Sequence, residues 1–234
     1  MRKSMKNNFV EMLDNKRYYE LNTNLKDMVK SIFPFVKSQD LIKCQLYKGK
    51  KVDLIIKINT VSKNVSLKSQ NIICVYKGDI KTLLSFLFSI GISYRGVSAI
   101  LSYQYSDGSL DGNGRRLESF GLLLEEDYKN EISIIKEEFN DDFKLIQLID
   151  FILVKEKNGI NVDYFYFGNL RKGEVISRDN LIKNILTIKK EGNNKFMKIG
   201  PFNLIPLSRC NNYIYNNENR HKCVLKINLF KYKK

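Results

Sequence analysis

The sequence predicts a mixed α/β fold in which helices flank a central sheet. Segments with apolar residues at helical spacing are followed by short segments rich in Ile and Val. Hydrophobic residues make up 43% of the 234 residues and charged residues 28%, a balance typical of a folded domain with a core. Because no repeat or linker interrupts the chain, we expect one domain over 1–234, made of N-terminal helices (1–50), a hairpin and helix (51–90), and completing strands, helices and loops (91–234).

The first half of the chain predicts two helices, a hairpin and a third helix. Residues 5–33 have apolar positions at helical spacing, and the second of these two helices begins with capping residues and stops at a proline. Residues 52–58 alternate and predict a strand that pairs with residues 65–68. The segment NIICVY predicts a further strand or a continuation of that one. GDIKTLLSFLFSIG predicts a helix with Asp79 at its start and Gly91 at its end.

The second half begins with turns and closes with strands. SDGSLDGNGRR, residues 106–116, is too rich in D-G and N-G pairs for regular structure, and residues 125–138 predict an acidic helix. DDFKLIQLIDFILVKEKNG predicts either a helix followed by a strand or strand throughout. VDYFYFG predicts a strand, and SRDNLIKNILTI a helix capped by Ser177. KFMKIGPFNLIPL and KCVLKINLFKY predict the last strands.

Charge is strongly positive and unevenly distributed. The formal net charge is +15, which favours a polyanionic partner, DNA or RNA first. Residues 42–81 and 195–234 each contain nine basic residues, against two acids and one acid respectively, whereas residues 118–142 contain nine acids and two lysines. This segregation predicts a basic face with an acidic face elsewhere.

Cysteines and hydropathy exclude several protein classes. The four cysteines form no C-x-x-C pair and are too sparse for a disulfide scaffold, and Cys210, His221 and Cys223 have an unusual spacing for a zinc site. We find no apolar run long enough to cross a membrane and no signal peptide, so we expect a cytoplasmic protein.

The polar face of the hairpin at 52–68 is the strongest functional signal. If the turn lies near Thr60-Val61, Asp53 faces Lys68, and the apolar partners of the two strands share the other side. Asp53, Ser66 and Lys68 then stand together, with facing Cβ atoms about 5 Å apart. Aspartate is depleted in strands, so its presence between Val52 and Leu54 requires a reason.

A carboxylate and an ammonium side by side suit phosphodiester hydrolysis. The carboxylate of Asp53 would hold Mg²⁺, and Lys68 would orient or deprotonate the attacking water or stabilise the transition state. With Asp53 on one strand and Ser66-Leu67-Lys68 on the next, the hairpin resembles the PD-(D/E)xK nucleases, the restriction-endonuclease-like superfamily, in an S-x-K variant. The resemblance implies a restriction-endonuclease-like α/β fold, a mixed central sheet flanked by helices.

A second carboxylate is needed because Ser66 replaces the acid of that motif. The resemblance implies Asp79, at the start of the following helix, as a catalytic and metal-binding residue. A helix cap is an equally good interpretation of Asp79. Glu11 and Glu20, in or beside the first helices, are rival suppliers, although each is also a good surface acid.

Basic residues outside the hairpin are the candidate DNA contacts. The glycine-rich loop could bring two arginines into a groove, and others could bind phosphates or read guanine. These candidates, each also interpretable as solvent-exposed charge or turn, are Arg95, Arg115, Arg116, Arg209, Arg220, His221 and Lys222.

The sequence thus predicts a Mg²⁺-dependent endonuclease of type II restriction type that cuts double-stranded DNA. The resemblance implies a homodimer, in which each active site cuts one strand. The alternative is a DNA- or RNA-binding protein that retains the fold without the catalytic site.

Overall fold

The structure, a computed structural model, describes residues 4–69, 72–114, 128–156, 158–188, 197–207 and 219–232. Contacts between Cα atoms divide the chain into two compact units. The first combines Met1–Asn71 with Leu153–Asn184 and Phe230–Lys234, and the second combines Ile72–Ile152 with Ile185–Leu229. Each unit therefore draws on separate stretches of the chain. The single functional domain over 1–234 stays a prediction.

The first unit is built on a six-stranded mixed sheet. Its described elements are α1 (Met5–Leu13), β1 (Lys16–Arg17), α2 (Thr23–Ile32), β2 (Leu41–Leu46), β3 (Leu54–Ile58), β4 (Val61–Lys68), β6 (Tyr164–Gly168) and β7 (Gly173–Ser177). The strand order is β1-β2-β3-β4-β6-β7; β4 and β6 are parallel, and every other neighbouring pair is antiparallel. The predicted α/β class with a mixed sheet and flanking helices is confirmed.

Helices α1 and α2 cover one face of this sheet. Ser4 and Asn22 cap their N-termini by accepting hydrogen bonds from backbone N–H groups three residues later. Their apolar faces pack against the inward side chains of β2, β3 and β4 in one core cluster. Phe9 of α1 meets Tyr166 of β6 edge to face, with ring centroids 5.3 Å apart. This packing fixes α1 over the sheet.

The predicted alternation of the hairpin is confirmed, but its register is wrong by two residues. Leu54 pairs with Val65 and Ile58 with Val61, so the two-residue turn is Asn59-Thr60. A shift of two keeps every side chain on its predicted face, because side chains alternate with a period of two. Asn59 adopts a positive φ of 53°, which asparagine tolerates better than most residues.

The second unit contains a four-stranded antiparallel sheet of order β5-β10-β9-β8 and several helices. Its described elements are β5 (Ile72–Asp79), α3 (Ile80–Ser89), α4 (Tyr94–Tyr105), α5 (Lys129–Glu138), α6 (Asp142–Ile149), β8 (Lys198–Ile199), β9 (Phe202–Pro206) and β10 (Lys222–Asn228). Helix α7 (Arg178–Ile188) begins in the first unit and ends in the second. No helix among the described residues is long and apolar enough to span a membrane.

Most predicted elements are present, and the ambiguous segment is helical. Residues 142–154 form α6 and a following π-helical turn rather than a strand. The described part of NIICVY, residues 72–76, lies in β5, which belongs to the second sheet and does not extend the hairpin. Strands β2 and β7 and helix α4 were not predicted from the sequence. In the turn-rich segment, residues 106–114 lack regular structure, as predicted, and residues 115–116 lie outside the described part.

Candidate active site

Asp53 lies at the point where the backbone ladder between β3 and β4 ends. Its backbone N–H donates to the carbonyl of Val65, 2.9 Å away, and its own carbonyl accepts from the N–H of Tyr47, at 3.0 Å. One step further along, the N–H of Leu67 donates to the Asp53 carboxylate instead of a backbone carbonyl, at 2.7 Å from Oδ2. The carboxylate of Asp53 thus replaces the backbone carbonyl that would otherwise accept the next hydrogen bond of the ladder.

The two carboxylate oxygens of Asp53 have different partners. Oδ2 accepts the hydrogen bond from Leu67 and lies 3.4 Å from the hydroxyl of Ser66. Oδ1 lies 2.5 Å from the Nζ atom of Lys6, at the start of α1. The side chain of Asp53 is 7% exposed, so its charge is held in a largely water-excluded position by a backbone donor and an ammonium.

Ser66 stabilises the chain that precedes Asp53. Its hydroxyl is fully buried and lies 2.5 Å from the carbonyl oxygen of Lys51, much closer than the 3.4 Å to Asp53. A serine hydroxyl has one proton to donate, and the shorter contact takes it. Ser66 therefore anchors the backbone at Lys51 and contacts Asp53 only secondarily.

Lys68 is half-buried at the end of β4, on the same side as Ser66. Burial lowers the pKa of its ammonium; the negative charge of Asp53 opposes this shift, and the positive charge of Lys6 adds to it. The charge of Asp53 thus acts on Lys68, although the register shift means that Asp53 does not directly face Lys68 as the hairpin pattern predicted. A lysine with a lowered pKa exchanges its proton more readily near neutral pH.

Glu156 is a supporting residue that the sequence did not reveal. Its Oε1 accepts hydrogen bonds from the N–H groups of Lys51, at 2.6 Å, and Val52, at 3.0 Å. A Cβ atom at Gly49 would collide with Oε1, so glycine is what permits this close approach. Glu156 and Ser66 together fix the two residues before Asp53.

Lys6 and Glu156 reach the site through tertiary packing. Both are distant from Asp53 in sequence, and no motif spacing connects them to the hairpin. The only available signal for Lys6 was an ammonium in the first turn of a helix, where the helix dipole disfavours positive charge.

The predicted second carboxylates have other partners. Asp79 lies in the second unit, where it caps α3, and its Oδ1 accepts from the N–H of Lys81 at 2.7 Å. Glu20 is exposed and its Oε2 accepts from the N–H of Arg17 at 2.5 Å, and Glu11 is exposed on α1. Their roles as metal ligands stay predictions.

The predicted DNA contacts occupy different environments. Arg220 is buried; its guanidinium pairs with Asp107 and donates to the carbonyl of Gly114 at 3.1 Å, which supports a role in holding residues 106–114. His221 Nδ1 lies 2.8 Å from the hydroxyl of Tyr105. Arg95 and Lys222 are exposed. DNA contact by these four stays a prediction, and the remaining three candidates lie outside the described residues: Arg115, Arg116 and Arg209.

The donor set at Asp53 suits a hard cation held mainly by water and substrate. No group of three His, Cys, Asp or Glu side chains in the described part of the chain could hold a metal. Mg²⁺ does not require such a group, because it keeps several waters and binds through one or two carboxylates and phosphate oxygens. The Oδ1 of Asp53, which already faces a cation in Lys6, meets this requirement.

Comparison with known proteins identifies the fold. No protein-family model matches the chain, and no curated protein matches it. Among solved structures, the chain is similar to a crystal structure of the restriction endonuclease MspI in complex with its cognate DNA. The TM-score is 0.56 at 12% sequence identity, and the match covers 94% of this chain and 87% of that one. The predicted restriction-endonuclease-like fold is therefore confirmed.

Proposed function

We propose that this chain is a Mg²⁺-dependent endonuclease of type II restriction type, which hydrolyses phosphodiester bonds of double-stranded DNA. The single observation that carries the proposal is that the buried carboxylate of Asp53 lies on the same side of the hairpin as Lys68 and acts on its ammonium, whose pKa is lowered by burial. The fold shared with a restriction endonuclease that was solved with DNA supports it, as does the net charge of +15.

Each hairpin residue has a distinct role in the proposed reaction. Asp53 would hold the metal, and the Leu67 N–H fixes the orientation of its carboxylate through Oδ2. When bound, Mg²⁺ supplies positive charge to the phosphate oxygens and acidifies a bound water. Lys68 orients the attacking water and takes up its proton, or, when protonated, stabilises the developing negative charge. Ser66 keeps the preceding backbone in place.

The proposal includes an assembly and a second ligand. A homodimer would place one active site on each strand, so we propose a homodimer on double-stranded DNA. Asp79 remains the proposed second carboxylate, with the helix cap as its rival role.

Cleavage of unmethylated DNA tests the proposal. Because the recognition sequence is unknown, long DNA amplified in vitro is incubated with protein in Mg²⁺ and, separately, Mn²⁺. We expect discrete fragments from the wild type and at least about a hundredfold slower cutting by Asp53→Asn and Lys68→Met. Asparagine keeps the acceptor for Leu67 and methionine keeps the apolar stem, so both variants should fold and bind DNA in Ca²⁺.

Matched controls make the same chemical changes elsewhere in the first unit. Asp27→Asn on α2 and Lys57→Met on β3 alter exposed residues and should cut as the wild type does. A wild type that binds DNA but cuts none in either metal would instead identify a DNA-binding protein without catalysis.

Asp79→Asn separates the two roles of Asp79. Asparagine caps a helix as well as aspartate does but binds metal poorly, so stability should be unchanged. Loss of cutting would support the ligand role, and unchanged cutting would assign Asp79 to the helix cap alone.

A further inference from the structure

Lys6 forms an ion pair with Asp53 that the proposed reaction does not use. Its Nζ lies 2.5 Å from Oδ1, and the Lys6 side chain is 47% exposed while that of Asp53 is 7% exposed. The backbone of Lys6 is fixed because α1 is anchored by the fully buried Phe9 and Leu13. One end of the pair is therefore rigid and buried, and the other is a long side chain with access to solvent.

The position of Lys6 is unfavourable except for this contact. Lys6 is the second residue of α1, where the free N–H groups of the helix repel an ammonium. A buried carboxylate, in turn, is costly without a positive partner. The ion pair stabilises the buried carboxylate of Asp53, whereas the ammonium destabilises the N-terminus of α1. The contact with Asp53 is therefore what Lys6 stabilises, and not the helix.

Lys6 and a divalent cation need the same oxygen. Oδ2 of Asp53 is taken by the N–H of Leu67, so Oδ1 is the atom that either cation would contact. An ammonium at 2.5 Å and a Mg²⁺ at about 2.1 Å from one oxygen would lie within about 5 Å of each other, where like charges repel strongly.

We propose that Lys6 is a built-in counter-cation that occupies the metal position at Asp53 and swings out when a divalent cation binds. The inference rests on the proposed function, because it takes Asp53 to be the metal ligand. It adds that competition between the Lys6 ammonium and the divalent cation sets the metal affinity of Asp53. The metal-free protein keeps a neutral, stable pair, and binding must displace Lys6 into solvent, which its exposure permits.

Thermal unfolding and calorimetric titration with Mg²⁺ or Ca²⁺, without DNA and at constant ionic strength, test this competition. Without metal, Lys6→Gln should unfold about 2–4 °C below the wild type, because Asp53 loses its partner. Metal should raise its unfolding temperature more than that of the wild type, and its affinity for the cation should be about tenfold higher.

Three variants control this measurement. Lys6→Arg keeps the positive charge and should resemble the wild type. Lys30→Gln removes one exposed charge from the neighbouring α2 and should also resemble it. In an Asp53→Asn background, Lys6→Gln should change neither the unfolding temperature nor the response to metal.

The outcomes separate this inference from the proposed function. Metal could raise the unfolding temperature of Lys6→Gln and of the wild type by the same amount. If the wild type also cuts DNA, this result would overturn the competition between Lys6 and metal but leave the nuclease proposal standing. Loss of cutting in Lys6→Gln with an unchanged metal shift would also overturn it and make Lys6 a catalytic residue. Absence of any metal shift in both proteins would overturn it together with the metal site at Asp53.

Discussion

Asp53 shows how one residue can join two elements that are distant in the chain. Its Oδ2 binds the backbone of β4 and its Oδ1 binds a side chain of α1. The sequence predicted that this aspartate is special, because aspartate is rare between apolar strand residues. It also predicted Ser66 and Lys68 as neighbours. Lys6 and Glu156 could not be predicted, because helix packing and a distant loop bring them to the site.

The lowered pKa of Lys68 predicts a pH-dependent stability. Between the folded-state pKa and the ordinary 10.5, the unfolded chain binds more protons than the folded one, so the free energy of unfolding rises with pH in that window. Lys68→Met removes this dependence. We expect the variant to gain stability relative to the wild type at neutral pH and to lose this advantage as the pH approaches 10.5.

Urea unfolding at a series of pH values measures this difference. The exposed Lys57→Met serves as the control, whose stability should differ from that of the wild type by the same amount at every pH. If the free energy of unfolding varied with pH in the same way for Lys68→Met and the wild type, this would contradict a lowered pKa of Lys68.

At the scale of elements, the hairpin shows both the strength and the limit of an alternating pattern. A period of two assigns side chains to faces and rejects a slip of one residue, but a slip of two satisfies it equally well. The turn decides the register, and Asn59 at a positive φ fixes it. The sequence therefore predicted which residues share a face and misplaced which residues are directly opposite.

Glu156 predicts a positioning effect on catalysis. Alanine at this position leaves the N–H groups of Lys51 and Val52 without their acceptor, so Asp53 is held less precisely. We expect Glu156→Ala to cut DNA about ten- to a hundredfold more slowly at saturating DNA, with binding in Ca²⁺ unchanged. Glu156→Gln, whose amide oxygen can accept both bonds, should recover most of the rate.

Single-turnover cleavage rates of the two variants check this role. If glutamine is as slow as alanine, the negative charge of Glu156 matters rather than its acceptor oxygen. Glu156 would then act on the metal or the substrate and not on the backbone.

At the scale of the molecule, fold class was easier to predict than sheet membership. Composition and periodicity indicated α/β, and most helices and strands followed. The sequence did not reveal that β5 leaves the hairpin for a second sheet, because an Ile- and Val-rich strand can pair with any neighbour of suitable pattern. Strand β2 was missed because its lysine and glutamine face solvent and weaken the apolar signal.

The net charge of +15 predicts steeply salt-dependent DNA binding. Six phosphate contacts would give a slope of about −5 in a plot of log affinity against log salt concentration. We expect a slope at least this steep from fluorescence anisotropy of labelled double-stranded DNA in Ca²⁺. A slope near zero would indicate that the positive charge is compositional and does not contact phosphates.

The parallel pairing of β4 with β6 joins two strands that the ribosome synthesises far apart in time. Ile72–Ile152, which belongs to the second unit, lies between the hairpin and β6 in the chain. A nascent polypeptide that stops before Tyr164 lacks the strand beside Lys68. One that stops before Glu156 also lacks the carboxylate that accepts hydrogen bonds from Lys51 and Val52. Truncated translation products thus carry Asp53, Ser66 and Lys68 without the strand and the acceptor that hold this part of the hairpin in place.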